Sequence, residues 1–293
     1  MSEPGKKPLI LFFLVIFAGA MVLGPLLYFA LAVIWPTPFH RAMDRALLIS
    51  SVGALFLFRS GIPLGKLWPL GPDAWKKLLL GWAVAIVSAQ AIVGANLACV
   101  GYVSSHLPVE KIVARVFLAL AAALIVPLLE ETVFRGFLQT ELIGRLGLRA
   151  GWLLAALIYA LAHFLKIPPE LDQQPVHLWS GISAFGAAFA PIDHGGFISG
   201  RGLNLLLIGL ILGATFLRNG NLWFNAGLHG GWIFMLLLFS GLARPMEPPI
   251  VAWLPGDLLS NPVTSVVLIL LSLWLWRFYQ PPSIEPGTGE SAR

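Results

Sequence analysis

Charge is what this sequence has least of: 11% of its 293 residues are Asp, Glu, Lys or Arg, and 58% are hydrophobic. A soluble globular domain carries about 25% charged residues, so the composition describes an integral membrane protein. Cysteine is almost missing. The one cysteine, Cys99, sits in an apolar run, which excludes a disulfide framework and a cysteine-based metal site and leaves packing as its role. The net charge of +5 comes from basic residues spread thinly between apolar runs, which gives no sign of a nucleic-acid partner. No H-E-x-x-H occurs, no pair of intramembrane aspartates is found, and Ser199 in "GFISG" lacks G-x-S-G spacing. No internal repeat is visible, so an inverted-repeat transporter gains no direct support.

What is present is a series of apolar stretches near 9–35, 78–104, 114–138, 203–217, 221–240 and 263–279, most of them near the ~20 residues a crossing needs. Two shorter runs, 46–58 and 150–165, fit the alternation, and 203–217 invites extension upstream. The expected architecture is all-α: a polytopic membrane protein, a bundle of about eight transmembrane helices with an intramembrane polar site. The basic start "GKK" resembles a signal peptide, but the apolar run after it is too long and lacks a small-residue cleavage site, so it reads as the first span. With an inward N-terminus, ten loop Lys and Arg fall inside against seven outside (the tail's Arg293 left out), which predicts both termini cytoplasmic.

Pro- and Gly-rich segments mark the loops. The stretch "KIPPELDQQPVHLWSGISAFGAAFAPIDHGG" is too long for an idle connection and suits an interfacial or re-entrant segment, or a lid. The tail "QPPSIEPGTGESAR" reads as disordered. Three regions follow: N-terminal helices over 1–113, a core over 114–240, and a last helix with its tail over 241–293.

Against this apolar background "LIVPLLEETVFRGFLQ" (124–139) stands out, because it sets Glu130, Glu131 and Arg135 inside a membrane span. Each such charge costs about 2.5–3.5 kcal/mol near a helix centre. Glu131 and Arg135 are spaced i, i+4 and can pair on one face. Glu130 points about 100° away and lacks that partner. Two histidines also lie in apolar runs, His163 in "LIYALAHFL" and His229 in "LWFNAGLHGGW". At 1.5 Å per residue, Glu130, His163 and His229 come out roughly 15, 18 and 12 Å from the cytoplasmic ends of their spans. Similar depth predicts one site. Ala226, Gly227, Gly230 and Gly231 around His229 would permit close helix approach or leave room for a substrate backbone. His40, His106, His177 and His194 fall in loops and read as surface or interfacial residues.

Two carboxylates and two histidines in a wet intramembrane pocket suit the activation of water against an amide. Glu130, His163 and His229 could instead hold a divalent metal that lowers the pKa of bound water. A structural ion cluster is the plainest alternative.

E-E-x-x-x-R in one span, an aromatic-x-x-x-H in the next and a later intramembrane histidine resemble the CPBP family, the CAAX prenyl protease and bacteriocin-processing family. The matching residues are Glu130, Glu131 and Arg135 in "EETVFR", Tyr159 and His163 in "YALAH", and His229 in "GLHGGW". The resemblance covers roughly 114–240 and implies an eight-helix bundle and a glutamate-type intramembrane endopeptidase, with no cofactor, acting on a membrane-anchored protein or peptide in the lipid bilayer. It implies that Glu130 with His163 activates water, Glu131 supports the site, Arg135 anchors the carboxylates, and His229 stabilises the oxyanion. Two positions depart from the pattern. Tyr159 replaces the usual Phe, and Ile233 stands where Asn commonly follows the last histidine, so either another donor substitutes, such as Asn225 one turn before His229, or the reaction or substrate differs. A metal-dependent peptidase, a non-catalytic scaffold or chaperone, and a proton-coupled transporter are the alternative readings.

Overall fold

A computed structural model of the chain describes residues 9–35, 37–193 and 197–278. His194 and the tail from 279 onward lie outside the described residues. The long helices are α1 (Leu9–Ile34), α2 (Phe39–Leu57), α3 (Pro72–Cys99), α4 (Val109–Leu146), α5 (Leu148–Ala162), α6 (Ser180–Ala187), α7 (Gly200–Asn219), α8 (Trp223–Leu242) and α9 (Pro262–Phe278). The protein is an all-α polytopic membrane protein. By length and composition α1, α3, α4, α7 and α8 can each cross a bilayer, and α5 and α9 are shorter apolar helices. The expected eight spans are reached only by adding α2, α5 and α9 to those five.

Several boundaries differ from expectation for identifiable reasons. The run 78–104 is not one helix. Helix α3 begins at Pro72, where proline suits the first turn, and stops at Cys99. Gly101 then takes φ +74°, and Tyr102–Ser104 pair antiparallel with Ala243–Pro245 as a two-stranded ribbon, β1 with β2. Hydropathy does not report that turn, because the apolar residues continue through it. Helix α2 reaches back to Phe39, about two turns of mixed sequence earlier than expected, and α7 extends upstream to Gly200. Ser199 caps α7 by accepting the Gly202 N–H at 3.4 Å.

The long connection after α5 is tied down. Helix α6 packs on α1 so closely that a Cβ on Gly181 would stand 1.9 Å from the Met21 carbonyl oxygen. At its other end the His40 N–H donates to Asp172 Oδ1 at 2.9 Å. Partial burial pushes Asp172 up, but hydrogen bonds from the His40 backbone and ring outweigh it and hold the carboxyl below its ordinary range.

Helix α8 forms the centre of the fold, lying against α3 on one side and α4 on the other. Glycines set both approaches. A Cβ on Gly227 would stand 2.0 Å from Leu78 O on α3, and one on Gly230 would stand 2.4 Å from Ala123 O on α4. In a membrane, where lipid tails are as apolar as leucine, such small-residue contact is what draws helices together. Gly227→Ala is therefore expected to lower the unfolding temperature of the detergent-solubilised protein by several degrees, since overpacking costs about 1–3 kcal/mol. Gly53→Ala, with nothing within 4 Å of its added Cβ, should leave it unchanged. Equal effects in a thermal-shift series would refute this packing.

Candidate active site

Helix α4 is not uniform. It is α-helical through Glu131, continues as a π-helix over Thr132–Gln139, and returns to α over Thr140–Leu146. Such i→i+5 segments are rare and cluster at functional sites. The glutamates stand at the last α residues, and Arg135 lies in the wider π turn.

Glu131 is fully buried, and three groups around it, His229, Asn225 and Arg135, stabilise a negative charge. His229 Nδ1 lies 2.9 Å from its Oε1, and the Asn225 amide donates to its Oε2 at 3.1 Å. Arg135 Nη1 is 3.2 Å from Oε1, an ion pair by distance whose N–H direction does not make it a hydrogen bond. The guanidinium instead spreads over the Tyr159 ring, 4.2 Å from its centroid, a cation–π contact. Asn225 Nδ2 also donates to Leu212 O at 2.6 Å, and the Thr215 hydroxyl donates to its Oδ1 at 3.0 Å. Both amide hydrogens of Asn225 are thus engaged in holding Glu131 and α7. It is not free to serve as a donor toward the cavity.

Glu130 meets different surroundings. Its side chain is 29% exposed, yet its Oε2 is buried without a hydrogen-bond partner. That oxygen sits 3.8 Å from His163 Nε2 and 3.9 Å from His229 Nε2. The three side chains face a cavity of about 250 Å³ whose walls are otherwise mostly apolar, with Tyr159, Trp232 and Ile233 among them. His163 terminates α5 rather than sitting inside it, and its Nδ1 lies 2.9 Å from the Tyr159 carbonyl oxygen.

The partners assign the ring protons. On each histidine Nδ1–H donates, His163 to a backbone carbonyl and His229 to the Glu131 carboxylate. Both Nε2 atoms therefore face Glu130 across the cavity. Among the described residues no group of three His, Cys, Asp or Glu side chains is arranged to hold a metal ion.

The five residues singled out in the sequence, Glu130, Glu131, Arg135, His163 and His229, come together in one place. Of the histidines expected in loops, His106 and His177 are exposed, whereas His40 lies in the first turn of α2, half-buried beside Asp172. Ile233 lies on the cavity wall, as its position one turn beyond His229 requires. Sequence reasoning missed Arg201, which also lines the cavity. Its only signal was a cation between two glycines at the start of a helix.

No curated protein matches the chain. Residues 112–235 match the model of the Type II CAAX prenyl endopeptidase Rce1-like family, a segment that contains α4, α5, α7, most of α8 and every residue of the Glu130–His163–His229 cluster. Over that segment the chain is similar to CAAX-type intramembrane proteases.

Proposed function

We propose that the protein is an intramembrane endopeptidase that hydrolyses a peptide bond of a membrane-anchored protein or peptide by a glutamate mechanism. The observation that carries this reading is Glu130 Oε2, a buried oxygen with no hydrogen-bond partner, poised between two histidine Nε2 atoms at 3.8 and 3.9 Å. Polar gaps of that length suit a bridging water. Glu130 takes one proton of the water as its oxygen attacks the amide carbon. His163, whose Nδ1–H is committed to the Tyr159 carbonyl, accepts the second hydrogen at Nε2 and orients the attack. The C–N bond then breaks, and Glu130 returns its proton to the departing nitrogen.

His229 serves the oxyanion. As an imidazolium, with Nδ1–H held by the Glu131 carboxylate, it presents Nε2–H to the cavity at the developing negative charge. Arg135 and Asn225 keep Glu131 ionised and in place, and Glu131 in turn fixes the His229 ring. Apolar walls exclude bulk water and strengthen that electrostatic contact. Ile233, where a second donor is usual in the family, leaves His229 as the main oxyanion donor. The bundle is proposed to hold both termini on the cytoplasmic side, following its loop charges.

The direct test compares protein termini by mass spectrometry in membranes from a host that carries the natural partners. Wild type is expected to produce a new terminus that Glu130→Gln lacks entirely, a fall of about 10³-fold or more, with the variant still folded. Termini identical in the two membranes would overturn the protease reading. Product that disappears on chelation, with Glu130→Gln active, would replace the glutamate mechanism by a metal one.

The two glutamates should also separate by phenotype. Glu131→Gln leaves Arg135 without its counter-charge, and breaking a buried pair costs about 3–5 kcal/mol. It should lower thermal stability and activity together, whereas Glu130→Gln should affect activity alone. His229→Ala is expected to lower kcat by about 10²–10³-fold.

Ile233→Asn offers a further check, because it places a donor on the same wall as His229 Nε2. The expected result is a higher kcat at unchanged KM. An unchanged or lower kcat would show that the oxyanion forms elsewhere in the cavity.

A further inference from the structure

Arg201 has no part in the chemistry just described, yet it lines the same cavity as Glu130, His163 and His229. It sits in the first turn of α7, where a cation opposes the helix dipole. The helix therefore does not explain it. A loose ion pair does so only in part: Arg201 Nη1 is 3.4 Å from Asp257 Oδ2, and that oxygen already accepts the Ser260 hydroxyl hydrogen at 2.8 Å. Both side chains keep solvent contact, at 31% and 50% exposure. The backbone at Arg201 is held firmly, since a Cβ on Gly200 would stand 2.1 Å from the Ser260 carbonyl oxygen.

Leu205, one turn along α7, packs with Ala160 and Phe164 beside His163. Arg201 is thus about 6 Å along α7 from the level of the histidine. The cavity wall thus carries the carboxylate and imidazoles at one level and a guanidinium about 6 Å away along α7, with Leu205, Ile208, Trp232 and Ile233 also lining it.

We propose that Arg201 is a specificity residue that binds a carboxylate on the departing side of the substrate, the terminal carboxylate foremost. An extended chain advances about 3.3 Å per residue, so the anion lies about two residues beyond the bond that Glu130 attacks. The planar guanidinium can grip a carboxylate through two parallel hydrogen bonds. The weak Asp257 contact holds the side chain at the cavity wall until the substrate displaces it. This inference rests on the endopeptidase reading, and its test separates the two.

The full-length protein in phosphatidylcholine vesicles would be given N-palmitoylated decapeptides with the last four positions randomised, made either as free acids or as terminal amides. Acids bearing an internal Asp or Glu near the end, compared with those lacking one, separate a side-chain from a terminal carboxylate. Wild type is expected to cleave free acids with a KM about tenfold below that of amides. Arg201→Gln should remove the difference, with the loss falling on KM rather than kcat, and Arg201→Lys should restore part of it. Asp257→Asn should keep or strengthen the preference, because it frees the guanidinium. A purely structural tie between Arg201 and Asp257 predicts the opposite, with Asp257→Asn behaving like Arg201→Gln, and that result would overturn the proposal.

Binding to the Glu130→Gln protein separates failure of one idea from failure of the other. Tighter binding of acids, lost with Arg201→Gln, would sustain the anion site even if wild type cleaved nothing and the protease reading fell. Cleavage indifferent to acid or amide would sink the anion site and leave the protease reading standing. Neither cleavage nor preferential binding of acids would sink both.

Discussion

The arrangement depends on one buried charge. A lone carboxylate in a low-dielectric interior is too costly to keep, and Glu131 is fully buried. It is kept by three partners from two helices: Arg135 on α4, and Asn225 and His229 on α8. Those partners reach further. Arg135 lies over Tyr159 of α5, while Asn225 is bound to Leu212 and Thr215 of α7. A single carboxylate therefore joins α4, α5, α7 and α8, four helices that hydrophobic packing cannot align by itself inside a membrane.

Such a cluster demands backbones at the right spacing, and the sequence provides this through absent side chains. Gly227 and Gly81 let α8 and α3 touch main chain to main chain, and Gly230 does the same toward α4. His229 lies between those glycines, so its ring is delivered to Glu131 with little freedom in the helix that carries it. The π segment of α4 carries the arginine side of the cluster. It also brings Gln139 to donate to Gly213 O at 3.1 Å, fixing α7 below the site. Small residues and a widened turn are weak signals when read singly. Together they explain why the charges can meet.

Much of this was legible in the chain. Charged residues in a span are conspicuous because they are expensive, and equal depth along a 1.5 Å rise was enough to bring Glu130, His163 and His229 to one level. The spacing of Glu131 and Arg135 foretold their pairing, although the pair straddles an α-to-π junction that no periodicity announces. The less legible features depend on contacts distant in sequence. Strand β1 exists because residues 243–245 are there to pair with it, and the 166–193 connection is ordered by α1 and α2. Asn225 looked like a donor for the cavity, but its amide is engaged by Glu131 and α7. Arg201 was invisible as a site residue because only the fold turns the start of α7 toward the cavity.

The adjacency of the two glutamates now has a physical reason. In the proposed mechanism a supporting carboxylate must have its lone pairs engaged, and a proton-accepting one must have a lone pair free. On a helix, consecutive residues point about 100° apart, so one step in sequence moves a side chain from the interior of a helix cluster to the wall of a cavity. Glu131 takes the donors and Glu130 is left without one on Oε2. The same backbone that fixes the first then positions the second to within one residue's geometry. His229 completes the coupling, because it touches Glu131 through Nδ1 and faces Glu130 through Nε2. Any shift of the structural carboxylate thus moves a group on the cavity wall, so a change at Glu131 reaches the bundle and the site together.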